Sequence, residues 1–120
     1  MNAIPYLDAA ALRDLGYAAA AEALDSALRG GLEPAEDLRR VPTPFGDGEL
    51  LLMPSQAGHA LGVKLVTVAP RNPARGLPRI QGVYVLFDRA TAAPVAIADG
   101  AAVTNLRTPA VSMVVARGWL

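Results

Sequence analysis

Nine consecutive residues, Ile80 to Asp88 (IQGVYVLFD), are so rich in β-branched and aromatic side chains that they read as a strand, the strongest in the chain. What surrounds this segment narrows the fold. Upstream lies PRNPARGLPR, residues 70–79, whose three prolines, one glycine and three arginines make a stiff, exposed, positively charged loop. Before that loop, Gly62 to Ala69 (GVKLVTVA) alternates with a period of two. Val63, Leu65 and Thr67 point one way and Lys64, Val66 and Val68 the other. Downstream, Arg89 to Ala93 reads as a hairpin loop into a further strand, Pro94 to Ala98.

The N-terminal third has a different character. Ile4 to Leu7 is a short edge strand, where a proline is tolerated. Asp8 stands as an N-cap before an alanine- and leucine-rich run that Gly16 interrupts. A second helix spans Tyr17 to Arg29, with Leu24 and Leu28 on one face, and Gly30-Gly31 stops it. Arg40 to Thr43 forms a short strand before a turn at Phe45 to Gly48. Glu49 to Met53 is another, closed by Pro54. The last stretch, from about Gly100 to Trp119, reads as helical but split at Thr108-Pro109, with Thr at N-cap and Pro at N1 of the final helix. Helices, then strands, then a helix give an α+β fold: a mostly antiparallel or mixed sheet covered by N-terminal helices and ending in a C-terminal helix. Residues 1–120 make one domain.

Composition removes several functions. Apolar residues are 52% of the chain and charged ones 18%, the balance of a globular protein. Lys+Arg and Asp+Glu are 11 each, so no overall field draws nucleic acid or an anionic membrane. No apolar run reaches membrane-spanning length, and the N-terminus lacks the pattern of a signal peptide. Neither a nucleic acid nor a membrane is an expected partner. With no cysteine, disulfides and thiol chemistry are excluded, which fits a reducing cytoplasm. The single histidine, His59, sits in SQAGHALG as a loop residue, so no metal site is expected.

The residues left for chemistry are mostly cations. Lys64 shares a strand face with valines. On an apolar surface its ammonium would have a lowered pKa and could serve as acid, base or carboxylate anchor; an edge lysine facing water gives the same pattern. Arg40 precedes a short strand, and its fork suits a carboxylate, though Arg39-Arg40 also reads as a solvated pair. Arg107-Thr108 at a helix start would favour an anion, or would simply cap the helix. Arg71, Arg75 and Arg79 form either an anion-binding lid or a solvated loop. Asp88 and Asp99 end strands, where they cap turns. Gly46-Asp47-Gly48 lacks the third glycine of a dinucleotide fingerprint.

Three blocks carry a more specific signal: Met53-Pro54 followed by Gly62-Val63-Lys64; Asn72-Pro73-Ala74-Arg75-Gly76-Leu77-Pro78; and Leu86-Phe87-Asp88 followed by Leu106-Arg107-Thr108. Residues 51–117 resemble the ornithine cyclodeaminase/mu-crystallin family, and the N-terminal region fits the same register. The resemblance implies a homodimer built through the sheet of a substrate-binding domain, with a Rossmann domain binding NAD or NADP. It implies ornithine cyclodeamination, alanine dehydrogenation or cyclic ketimine reduction. It places Arg40 and Lys64 on the substrate carboxylate, gives Lys64 a further role in proton transfer, and places Arg107 and Thr108 against the cofactor. Arg79 stands where ornithine cyclodeaminase itself has a cofactor-contacting threonine, which argues against ornithine cyclisation.

The Rossmann domain is absent from these 120 residues, as is its Gly-rich phosphate loop. The expectation is therefore a truncated or split NAD(P)-dependent oxidoreductase that acts on a small amino or imino acid. This chain alone would be inactive, and a separate Rossmann-domain chain would complete it. The alternatives are a non-catalytic module for small-carboxylate binding or dimerisation, and a gene fragment without function.

Overall fold

Period-two alternation along four long strands decides which side chains meet the helices and which do not. The computed structural model describes residues 3–30, 38–57 and 60–114. Its elements are β1 (Tyr6–Leu7), α1 (Ala9–Arg29), β2 (Val41–Phe45), β3 (Gly48–Ala57), β4 (Ala60–Val68), β5 (Ile80–Asp88), β6 (Pro94–Asp99) and α2 (Gly100–Val114). They form one six-stranded sheet in the order β1-β6-β5-β4-β3-β2. Only β1 runs parallel to its neighbour, β6; every other pairing is antiparallel. The α+β class and mixed sheet expected from the sequence are the ones observed.

The helices cover the sheet in two layers. α2 lies on β4, β5 and β6, and α1 packs chiefly against α2, touching the strands at β1. The helix–helix contact is built from small residues: Ala21 and Ala110 are both fully buried, with Ala20 and Leu24 beside them. Alanine at such a contact lets two helices approach closely at little cost in side-chain entropy. Asp8 caps α1, its carboxylate accepting the Ala11 N–H at 2.9 Å. Gly16, at φ 82° and ψ 157°, kinks α1 where the sequence placed its interruption. The side chain of Leu28, and all of Gly31 and His59, lie outside the described residues.

The strand edges are blunted. β2 is exposed along its whole length and carries Pro42 and Pro44, which lack the N–H groups that would recruit another strand. The loop after β4 is closed by its own groups. The Asn72 side chain donates to the Pro78 carbonyl at 3.0 Å, around a 3₁₀ turn at Asn72–Arg75. Arg71 pairs with Asp47 at 2.7 Å, tying this loop to the β2–β3 turn.

β2 runs on to Phe45 and β4 begins at Ala60, slightly beyond the sequence reading, and two boundaries marked by proline differ more. β3 does not end before Pro54 but runs through it to Ala57, with Pro54 paired to Val63. Nor is the last helix split at Thr108-Pro109: α2 is one helix with Pro109 inside it. Its start signal is Asp99, whose Oδ1 accepts the Ala102 N–H at 2.8 Å. Pro109 removes a helical N–H, and burial of the adjacent Ala110 against α1 holds the helix together across that gap.

How closely α2 sits on the sheet is set by Gly100. A Cβ on Gly100 would stand 2.6 Å from the Gly82 carbonyl oxygen and 2.7 Å from its carbon, both backbone atoms that cannot swing aside. Gly100→Ala is therefore expected to lift α2 off β5 and to lower stability by about 1–3 kcal/mol, the usual cost of overpacking. A urea melt of the variant checks this, and an unchanged midpoint would show that the contact is slack.

Candidate functional site

Antiparallel pairing places Lys64 in the middle of a row that crosses the sheet. Lys64 pairs with Met53 on one side and Tyr84 on the other, Tyr84 pairs with Ala98, and Ala98 with Leu7. Val41 pairs with Leu52, so Arg40, one residue earlier, falls level with Met53 at the end of the same row. The row lies on the face beneath α2, which also holds the buried Val66, Ala96 and Ala98. Here the alternation read from the sequence meets its consequence: Lys64 points inward at a helix.

The Lys64 Nζ donates to Thr104 Oγ1 at 2.9 Å, and Thr104 Oγ1 donates to the Gly100 carbonyl at 3.1 Å. Three influences push the ammonium below its ordinary pKa, and all act in the same direction. Burial is the largest, followed by the charge of Arg107 and then that of Arg40. Lys64, Arg107 and Arg40, three residues distant in sequence, are thus brought within electrostatic reach of one another. Arg40 and Arg107 are exposed, Lys64 half-buried. A cluster of three cations at the edge of an apolar surface suits a small carboxylate, which would lessen the mutual repulsion and accept several charge-assisted hydrogen bonds.

Arg107 and Thr108 are not at a helix start. They lie in the second half of α2, so no free N–H groups or positive helix terminus surround them. The start of α2 is already served by Asp99. What they share is a face: Thr104, Arg107 and Thr108 are spaced i, i+3 and i+4, so all three lie on the side that carries Lys64's partner. Both Arg107 and Thr108 are exposed there and accessible to a ligand lying over Lys64. Thr104 is the residue that the sequence reading missed. Its signal was the same i, i+3 spacing from Arg107, hidden by the assumption that Pro109 ended one helix and began another.

The other candidates fall elsewhere. Asp88 does cap its turn, its Oδ1 accepting the Ala90 and Thr91 N–H groups at 2.8 and 3.2 Å. Arg75 and Arg79 are exposed on the loop after β4, and Arg71 is engaged with Asp47. Among the described residues no group of three or more His, Cys, Asp or Glu could hold a metal. A hollow of about 460 Å³ between α1 and α2 is lined by residues including Leu12, Arg13, Tyr17 and Asn105, and another of about 630 Å³ by residues including Leu65 and Val83. Lys64 lines neither; the cations form an open shelf.

The model of the ornithine cyclodeaminase/mu-crystallin family matches residues 11–119. The chain is 47% identical over 73 residues to Delta(1)-pyrroline-2-carboxylate reductase 1 of Burkholderia multivorans, covering 60% of this chain and 23% of that protein. A solved structure of the Thermococcus litoralis Delta(1)-pyrroline-2-carboxylate reductase, in complex with NADH and L-proline, is similar at a TM-score of 0.74 and 30% identity, over 91% of this chain and 36% of that one. An archaeal alanine dehydrogenase dimer with bound NAD is similar at a TM-score of 0.74 and 27% identity, over 90% and 34%. The chain spans less than a quarter of the length of the curated relatives it matches.

The lowered Lys64 pKa has a measurable sign. The folded chain disfavours the ammonium, so a destabilising contribution is present at neutral pH. It fades as pH rises from the folded value to the unfolded one near 10.5. Tyr6, whose phenol is raised by burial and by the neighbouring Asp99, acts in the opposite sense at high pH. It is common to both proteins and cancels in a comparison with Lys64→Met. Urea midpoints taken from neutral to alkaline pH should show the parent gaining on the variant; a constant gap would mean that the ammonium is unstrained.

Proposed function

This chain belongs to the ornithine cyclodeaminase/mu-crystallin family, and we propose that it is the substrate-binding part of an NAD(P)-dependent oxidoreductase acting on a small amino or imino acid. The observation that carries the reading is the convergence of Arg40, Lys64 and Arg107 on one shelf. Reduction of a cyclic imino acid such as pyrroline-2-carboxylate is the favoured reaction, because the relatives include several reductases of that compound. Arg79, where ornithine cyclodeaminase has a threonine, speaks against ornithine cyclisation.

Arg40 holds the substrate carboxylate through its planar fork, and Lys64 donates to the same group. A lysine of lowered pKa is also a better proton donor at neutral pH, so Lys64 delivers the proton that the imine nitrogen acquires on reduction. A reduced nicotinamide, when bound, would supply the hydride for the imine carbon, so that imine plus hydride plus proton gives amine. Arg107 and Thr108, exposed beside Lys64, are the residues of this chain that would meet the cofactor. The dinucleotide itself needs a phosphate-binding loop from outside these 120 residues, on the same polypeptide or a second one.

Assembly uses the opposite face of the sheet. Leu50, Leu52, Val63, Leu65, Val83, Val85 and Ile97 all point there, half-buried, and no helix covers them among the described residues. An apolar surface of this kind is covered by a partner. A second copy of the chain is the proposed occupant, in keeping with the dimeric state of the similar alanine dehydrogenase.

Intact mass from the native source comes first. A mass above 12.4 kDa identifies a longer polypeptide, and a mass of 12.4 kDa directs the search to a separate dinucleotide-binding partner. The complete enzyme should then oxidise NADH or NADPH only when a cyclic imino acid is present. Arg40→Met should lower kcat/KM roughly 10- to 100-fold, as expected for loss of a charge-assisted hydrogen-bonded pair. Absence of imine-dependent oxidation with either nucleotide would reject the reading. Val85→Lys should convert the dimer to monomer in sedimentation analysis, and a dimer that survives the charge would place the interface elsewhere.

A further inference from the structure

We infer that Thr104 is a positioning residue that aims the Lys64 amine at the substrate. The inference deepens the reading above and rests on Lys64 being the group that transfers the proton.

The argument is a count of hydrogens. A threonine hydroxyl has one hydrogen to give and two lone pairs to accept with. In α2 that hydrogen goes to the Gly100 carbonyl, one turn back, at 3.1 Å. A β-branched side chain on a helix has few rotamers, and back-bonding to the preceding turn selects among them. The oxygen can then only accept, and what it accepts is an N–H of Lys64 at 2.9 Å.

This has different effects on the two protonation states of Lys64. The ammonium spends one N–H on Thr104 and has two left for a ligand. The neutral amine keeps its N–H bond to Thr104, because Thr104 has no hydrogen to offer in return. Its lone pair must therefore point away from Thr104. A hydroxyl free to rotate could donate to that lone pair and occupy it. Thr104, with its hydrogen committed, cannot. Proton release and recapture at Nζ are thereby directed to the ligand side of the lysine.

The chain of contacts continues into the backbone. Gly100, which fixes the Thr104 hydroxyl, is the residue whose missing Cβ lets α2 sit against Gly82. The height of the helix above the sheet and the direction of the lysine amine are thus set through the same turn of α2. Nothing in this network is charged except Lys64, so Thr104 orients the amine without neutralising it.

The test uses the complete enzyme with its dinucleotide-binding part, and compares Thr104→Val, which keeps the shape, with Thr104→Ser, which keeps the hydroxyl. In steady-state kinetics with a cyclic imino acid, the valine variant should lose about 10- to 100-fold in kcat, the usual consequence of a misaligned reacting group, with KM within about twofold of the parent. Serine should restore most of the rate. A parallel readout needs no activity: acylation of Lys64 by acetic anhydride, which uses the same lone pair, followed peptide by peptide in a mass spectrometer, should be several-fold slower in the valine variant and unchanged in the serine one. Should valine prevent folding, Thr104→Ala replaces it under the same criteria. An effect on KM alone, an unchanged kcat, a serine variant as impaired as valine, or an acylation rate indifferent to both substitutions would each overturn the inference. If the parent enzyme shows no imine-dependent oxidation, the functional reading has failed, and the acylation arm still decides whether Thr104 holds Lys64.

Discussion

The placement of α2 on the sheet is the constraint on which the rest of this structure depends. The helix starts against β5 at Gly100, where a methyl group would collide with the Gly82 carbonyl. One turn later Thr104 stands at the height at which Lys64 can reach it from β4. Another turn along the same face brings Arg107 within reach of the same lysine. Three elements far apart in sequence converge, and the hydrogen bond from Lys64 to Thr104 joins two of them. Close backbone packing does the positioning, and side-chain chemistry is laid over it. A site placed on packed regular elements is held more sharply than one placed on loops.

The cluster so formed is electrostatically uncomfortable, and that discomfort is informative. Burial and two neighbouring guanidinium groups all disfavour the Lys64 ammonium. A purely structural lysine in such a place would gain from a carboxylate partner, and what it has is a neutral hydroxyl. The tension is relieved by loss of the proton or by the arrival of an anion. Under the proposed reading, the substrate carboxylate is the anion that relieves it. The exposed salt bridge between Arg71 and Asp47 is different in kind: it is open to water, screened, and worth little beyond tethering two loops.

Most of the sheet could be read from residue order, because the relevant signals are local. Ile80 to Asp88 is a strand in the structure as its β-branched and aromatic content demands, and the alternation around Lys64 correctly separates two faces. Asp8 is the N-cap that its place before a helix indicates, whereas Asp99, read as capping a turn, caps α2. The consequential misreadings were at proline. Pro54 sits inside β3 and Pro109 inside α2, each where a rule about a single residue predicts an end. Both are overridden by tertiary contacts that no local window contains: cross-strand pairing with Val63 in one case, the Ala21–Ala110 contact in the other. The second error had a functional consequence. With the helix broken at Thr108, Thr104 and Arg107 seemed to belong to different elements. Their common face, and with it the partner of Lys64, could not be seen.

A sheet has two faces, and this one divides its labour between them. The even-numbered side chains of β4, Lys64 among them, lie under α2; the odd-numbered ones, Val63 and Leu65, form the uncovered apolar surface. Period-two alternation makes the separation strict. A one-residue slip in register would exchange the two sets, burying the apolar residues under α2 and putting Lys64 on the open face. The sequence holds against that slip from both sides. Gly62 lies against the Tyr84 ring and Gly82 against the Leu65 carbonyl and Val66, leaving neither room for a side chain, and leucine and valine are favoured where they can be covered. The same alternation therefore keeps the cationic shelf and the proposed dimer surface on opposite sides of one layer, close enough to share strands and separate enough that a side chain altered for one need not touch the other. For a chain of 120 residues this is an efficient division. The rigidity that the proposed proton transfer by Lys64 requires would come from a sheet whose far face can be locked by a partner, without that partner entering the site.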